Sequence, residues 1–228
     1  MRIAVVANGE WNQEWGQQEL ARYDCLIAAD GGGDRILEAG FLPQALIGDL
    51  DSIKPENLEC CRARGIQIQQ FPREKDETDL ELALDYAVSL LNTPLAGQEP
   101  AQNSSHLKEI WLLGATGGRV DHLLGNLALM LGFYKRGYRI RAKDPYHELW
   151  LIQGREAIKG EKGQELSLIP ISEYAVISTE GLFYPLHKDT LRQDTTRGIS
   201  NVFLGEDACV DISEGIVLAA LLNLQNQR

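Results

Sequence analysis

The chain has 228 residues, 44% hydrophobic and 24% charged, ordinary globular proportions that exclude disordered, fibrous and membrane-embedded classes. Such a length holds one large domain or two modest ones, either able to bury a core. Its 22 Lys and Arg stand against 33 Asp and Glu, a net charge of -11 with no basic block, which argues against nucleic acid as a partner.

The opening apolar run, Ile3–Ala7, is too short for the core of a secretory signal, and no run approaches a membrane span. Cys25, Cys60, Cys61 and Cys209 show no C-x-x-C spacing and read as reduced thiols. A cytoplasmic protein with no membrane association is expected.

In chain order, RIAVVA, CLIAA, ALIG, IQIQQF, EIWLLG and YRIRA are short apolar runs bounded by polar or glycine-rich turns and read as strands. Between them lie helical patterns. KPENLECCRARG starts at a proline and stops at a glycine, TDLELALDYAVSLL follows a Thr cap, and DHLLGNLALMLGFYKRG ends on basic residues and Gly. Alternation of this kind predicts an α/β domain with a doubly wound, mostly parallel sheet. Residues Thr93–His106 read as a surface loop, and Asn103-Ser104-Ser105 within it matches a glycosylation acceptor only by chance. After about Tyr146 the texture shifts to HELWLIQG, QELSLIPI, YAVISTEGLFYPL and ACVDISEGIVLAALL, the pattern of antiparallel strands. The boundary is placed at Pro145, giving domains of residues 1–145 and 146–228.

Ligands of a doubly wound sheet bind at the carboxyl ends of its strands, so the residues after each apolar run carry the functional reading. After CLIAA stand Asp30, Gly31, Gly32 and Gly33, whose glycines allow close backbone approach to an anion. The triplet matches neither the dinucleotide nor the P-loop fingerprint. After ALIG stand Asp49 and Asp51, which in an extended segment point to the same side and call for a cation. Asp76 and Glu77 are accounted for by the helix N-terminus they precede, whereas Asp79 joins the site, with Arg73 and Lys75 upstream as phosphate ligands. In GGRVDH, Arg119 offers a phosphate fork and Asp121 a further acid; His122 reads as structural.

Taken together, AADGGGDR, IGDLDSI, FPREKDETDLELAL, LLGATGGRVDHLLGNL, LSLIP, GLFYPL and RGISN resemble the thiamine pyrophosphokinase family over nearly the whole chain. The resemblance implies transfer of a pyrophosphoryl group from ATP to thiamine with Mg²⁺, giving thiamine diphosphate and AMP. It implies a nucleotide-binding catalytic α/β domain followed by a smaller, antiparallel β-sandwich-like domain that binds thiamine. By motif, Asp49, Asp51 and Asp79 become the metal ligands and, with Asp121, the catalytic acids. Asp30, Gly31, Gly32, Lys75 and Arg119 fall to the ATP and phosphates, and Ser200 and Asn201 to thiamine. Val202 departs from the glutamate common in bacterial relatives. A homodimer with shared thiamine sites is also implied, and the apolar GIVLAALL run points the same way. Asp51 and Asp79 both remain candidates for accepting the alcohol proton.

Two other functions fit part of the pattern. A metal-dependent nucleotide-sugar transferase also uses a D-x-D, but leaves GGRVDH and GISN unused. A non-catalytic module sensing a Mg-nucleotide would need fewer clustered charges.

Overall fold

The computed structural model describes residues 1–9, 11–93 and 107–223, so the glycosylation-like tripeptide and all but the first residue of the 93–106 loop lie outside it. The chain divides into two compact units, Met1–Asp144 and Pro145–Arg228.

In the first unit, β1 (Ile3–Val6), β2 (Cys25–Ala29), β3 (Ala45–Gly48), β4 (Gln67–Gln70), β5 (Lys108–Leu113) and β6 (Tyr138–Lys143) are all parallel. Their spatial order is β4-β3-β2-β1-β5-β6, so the order reverses between β1 and β5. The crossovers carry α1 (Gln13–Leu20), α2 (Gly32–Glu38), α3 (Pro55–Ala63), α4 (Asp79–Asn92) and α5 (Val120–Lys135). Alternation along the strands sends Ala4, Val6, Ala28 and Leu46 to one face, where they pack with Leu20 of α1 and Ile36 of α2. Helix α4 covers β1, β2 and β3 with Leu80, Ala83, Leu84, Ala87 and Val88, a one-faced stripe at helical spacing. It is capped as its sequence predicts, the Glu81 amide donating to Thr78 Oγ1 at 3.2 Å.

One helix is absent from the sequence reading. QEWGQQEL is nearly without apolar periodicity and forms α1 behind an Asn12 cap, the Trp15 amide donating to Asn12 Oδ1 at 3.1 Å. The glycine-led GGDRILE forms α2.

The second unit is antiparallel throughout: β7 (His147–Lys159), β8 (Glu165–Pro170), β9 (Tyr174–Glu180), β10 (Asp189–Arg192), β11 (Asn201–Val202) and β12 (Asp207–Leu222). Strand β12 pairs with β7 along most of its length, with β9 through its first half and with β8 through its second. Its register shifts between Ile212 and Val217, around Gly215 at φ 87°. Two leaves, β10-β9 and β11-β8, therefore branch from one long ribbon around a core that includes Trp150, Ile152, Leu168, Ile177, Phe203 and Val210.

Two expectations change here. YAVISTEGLFYPL is not one strand, because β9 stops at Glu180 and Gly181 turns at φ 77°, where a Cβ would stand 2.3 Å from the Asp207 carbonyl oxygen. The GIVLAALL run leaves little apolar surface uncovered, since Val217, Leu218, Ala219 and Leu221 are buried. Among the described residues no helix is long and apolar enough to cross a membrane.

Candidate active site

Successive connections at the carboxyl edge of the first sheet bring three carboxylates together. Asp30 follows β2, Asp49 follows β3, and Asp79 opens α4 after β4. One oxygen from each lies within 4.8 Å of the others. Gly48 makes the approach possible: at φ 150° it carries no Cβ, and an added one would stand 3.0 Å from both Asp30 Cβ and Asp79 Cγ.

Backbone amides fix the group. The Asp49 amide donates to Asp79 Oδ1 at 3.2 Å, the Asp51 amide to Asp49 Oδ1 at 3.2 Å, and the Ser52 amide to Asp30 Oδ1 at 3.3 Å. Lys75 Nζ lies 2.8 Å from Asp79 Oδ1 and also donates to the Pro72 carbonyl at 3.2 Å. Burial pushes the Asp30 carboxyl above its usual range and the charge of Asp79 adds to the shift, while hydrogen bonds from Ser52 and Gly31 oppose it. A buried carboxyl beside two others, with one lysine as local counter-charge, fits a hard divalent cation held by oxygen ligands.

This grouping differs from the set expected for metal. Asp30, assigned above to the nucleotide, stands in the cluster, and Asp51 does not. Extended geometry fails at that point because β3 ends at Gly48 and Leu50 sits at φ 67°, so the same-side argument for Asp49 and Asp51 no longer holds. Asp51 is half-exposed, accepts from Ser52 Oγ at 3.0 Å and lies 3.7 Å from Arg73 Nε.

The glycine triplet has a packing cause. A Cβ on Gly32 would stand 1.9 Å from the Val6 carbonyl oxygen, and one on Gly31 would stand 2.4 Å from Asn8 Nδ2. The glycines let α2 sit against the end of β1, and α2 is too short to offer a helix-terminal anion site of its own. Arg119 is likewise engaged: its Nε and Nη2 donate to Asp121 Oδ1 and Oδ2 at 3.1 and 2.5 Å, both residues being exposed at the start of α5. That fork holds the Asp121 carboxyl down to about 2.

One residue at this edge was missed. Asn8 lies just beyond β1 and touches Gly31, beside the point where the strand order reverses. The rule applied to the other strands, inspection of the residues just after each apolar run, picks it out of RIAVVANG.

The second unit contains a cavity of about 390 Å³ lined by Leu168, Tyr184, Leu186, Arg197, Ile199 and Asn201, among others. Asn201 is buried, whereas Ser200 is exposed, stands at φ 55° and donates its amide to Ser167 Oγ at 3.0 Å. Arg197 Nη2 lies 2.7 Å from Asp189 Oδ1, which neutralises this cation of the lining.

Residues 17–142 match the family model described as the thiamin pyrophosphokinase catalytic domain, and residues 155–217 that of the thiamin pyrophosphokinase vitamin B1 binding domain. A thiamine pyrophosphokinase of Bacillus subtilis is 30% identical over 195 residues, 84% of each chain. The crystal structure of a thiamine pyrophosphokinase from the same organism superposes with a TM-score of 0.81 at 27% identity, covering 98% of this chain and 100% of that one. The corresponding structure from Geobacillus thermodenitrificans gives 0.78 at 30% identity, over 99% of each.

Proposed function

The chain belongs to the thiamin pyrophosphokinase family, and from that premise we propose that Asp30, Asp49 and Asp79 hold Mg²⁺ against the phosphates of ATP while the cavity of the second unit receives thiamine. It is an ATP-dependent diphosphotransferase that forms thiamine diphosphate and AMP. Neither the sugar transferase nor the sensing module is favoured. The three-carboxylate group carries the reading, because a cluster of that kind outside a charged-ligand site would only repel itself.

In the reaction the hydroxyethyl oxygen of thiamine attacks the β-phosphorus of ATP, the bond to the α,β-bridging oxygen breaks, and AMP leaves. Catalysis of such a transfer is mostly alignment and charge neutralisation. The bound divalent ion supplies positive charge to the phosphoryl oxygens. Lys75, already beside Asp79, adds a second positive charge, and Arg119 turns from Asp121 to phosphate when nucleotide is present. Asp79 is tied to Lys75 and to the Asp49 amide, so Asp51, the more exposed carboxylate, is the better acceptor for the alcohol proton. Gly31, Gly32 and Asn8 form the floor beside the adenine nucleotide, and Ser200 and Asn201 belong to the thiamine cavity. Residues 1–145 thus serve the nucleotide and 146–228 the vitamin, in the cytoplasm.

A homodimer with shared thiamine sites remains part of the proposal. Its support is the exposed apolar side chains Val120 and Leu124 on α5 and Phe183, Tyr184, Ile199 and Leu204 in the second unit.

Incubating the protein with ATP, Mg²⁺ and thiamine tests the whole: thiamine diphosphate and AMP are expected in equal amounts. Release of ADP, or ATP consumption independent of thiamine, would refute the reading. Mixing Asp51→Asn with Asn201→Ala chains, at thiamine far below the raised KM of the second, tests the sharing, since activity above the sum of the two chains assayed alone requires sites drawn from both chains.

A further inference from the structure

The segments Gly181–Pro185 and Gly198–Leu204 run side by side in the second unit. Leu182 and Phe203 form an antiparallel bridge. The Phe183 amide donates to the Val202 carbonyl at 2.8 Å, and the Leu204 amide to the Gly181 carbonyl at 3.0 Å. One step further along that register Tyr184 faces Asn201. Regular pairing between the two segments ends there, because the Val202 amide, opposite Phe183, turns to the side chain of its neighbour Asn201.

The side chain of Asn201 joins the two segments instead. The Tyr184 amide donates to Asn201 Oδ1 at 2.9 Å, and Asn201 Nδ2 donates to the Tyr184 carbonyl at 2.7 Å. The Val202 amide donates to the same Oδ1 at 2.9 Å. A carboxamide offers the donor and acceptor of a peptide group, so it pairs with a backbone residue as another strand would. Both lone pairs of Oδ1 and one of the two Nδ2 protons are thereby committed to backbone, in a residue only 5% exposed.

What is held is the wall of the cavity. Tyr184 and Pro185 line it together with Leu186, yet Tyr184 is 61% exposed and rests edge-on against Phe183, itself exposed, with ring centroids 4.9 Å apart. Buried Leu182 and Leu186 anchor the two ends of this stretch in the core of the unit, and between them hydrogen bonds hold it, those of Asn201 on Tyr184, beside that of the Leu186 amide to Thr179 Oγ1 at 2.9 Å. Gly198, at φ 106° with room for a Cβ denied by the Leu168 carbonyl 2.5 Å away, keeps the opposite segment close to β8.

We propose that Asn201 is a positioning residue for thiamine: it clamps the Tyr184 backbone so that the aromatic wall is preformed, and the contact with thiamine is made by that wall. The inference rests on the reading of the cavity as the thiamine site. It differs from the direct contact that the GISN motif suggests.

The test is a double-variant cycle on the full-length protein, with thiamine varied at saturating Mg·ATP. Asn201→Ala and Tyr184→Ala should each raise the KM for thiamine about tenfold, the scale of losing one or two net hydrogen bonds or a ring contact. Neither should move the KM for Mg·ATP. Combined, they should do little more than Tyr184→Ala alone, because contacts acting through one element are not additive. Full additivity would mean that Asn201 touches thiamine itself and would overturn the proposal, as would an unchanged thiamine KM in Asn201→Ala. If Asn201→Ala does not fold, Asn201→Asp replaces it, keeping the shape and removing the donor to the Tyr184 carbonyl. Amide hydrogen exchange separates the clamp from its function without any substrate. The Tyr184 amide is expected to be protected in the parent protein and to exchange faster in either Asn201 variant; unchanged protection would dispose of the clamp. Absence of thiamine binding in the parent protein, with that exchange behaviour as expected, would overturn the cavity assignment alone.

Discussion

In the first unit three carboxylates from three separate crossovers meet at the carboxyl edge of a parallel sheet, whereas in the second unit a cavity wall is an irregular stretch held between two buried leucines with the help of the Asn201 side chain. Regular elements place the acids: each stands at a strand end or a helix start, and the intervening sequence only has to bring the next strand alongside. The wall has no such frame. Its geometry depends on particular residues at particular φ values, Gly181, Gly198 and Ser200 among them. A site hung on sheet edges tolerates change in its surroundings and none in its ligands, while a site hung on a loop is sensitive in both.

The contrast is tested hardest at the acids. Asp49→Asn should lower kcat on the order of 10²–10³-fold, the scale of removing one preorganised charge-stabilising group, and should shift the Mg²⁺ dependence upward. Asp51→Asn should lower kcat with the Mg²⁺ dependence unaltered, because Asp51 stands outside the three-carboxylate group. Titrating Mg²⁺ against rate for both variants decides this; a shifted Mg²⁺ curve for Asp51→Asn would return it to the metal.

Two glycines offer a matched pair of smaller perturbations. Gly48→Ala forces a Cβ to 3.0 Å from Asp30 and Asp79, and Gly198→Ala forces one to 2.5 Å from the Leu168 carbonyl oxygen. Each should cost roughly 1–3 kcal/mol of stability, read by denaturant unfolding. Their functional effects should divide, Gly48→Ala weakening Mg·ATP and Gly198→Ala weakening thiamine. Equal loss of both substrates from either variant would erase the distinction between the two regions.

The least effect concerns Asp121. Its carboxyl is held down to about 2 by the Arg119 fork, so its contribution to stability is present above the ordinary aspartate value and is lost as pH falls through that lowered one. Carboxyl NMR should place its midpoint near pH 2, and Arg119→Met should return it towards the ordinary value. An unmoved midpoint would show the pair to be broken in solution. Being fully exposed, the pair should hardly affect unfolding.

Parallel strands announced themselves as continuous apolar runs, and α4 as a one-faced stripe behind Thr78, because burial on fixed faces writes itself into spacing. Asp30 and Asp49 were visible by their place after those runs, and Asp79 by its helix start with Arg73 and Lys75 just upstream. The local turn at Leu50 was not, since a φ of 67° on a leucine leaves no compositional mark, and so Asp51 was read as a partner of Asp49. Strand β10 and the two-residue β11 escaped notice for a related reason: they are polar, short, and defined only by the strands they pair with. The clamp on Tyr184 is non-local in the same sense, 17 residues separating its partners.

Strand β12 gives the second unit a particular order of assembly. Both leaves meet on it, and it comes after every other strand of the unit in the chain. During synthesis β7, β8 and β9 emerge with apolar faces and open edges before their common neighbour exists. The first unit has no such debt, because β1 through β6 pair with strands already made or soon to come. A ribosome paused between Arg192 and Asp207 would thus carry a first unit able to close its sheet and a second unit still waiting for its spine, the interval in which a chaperone has most to hold.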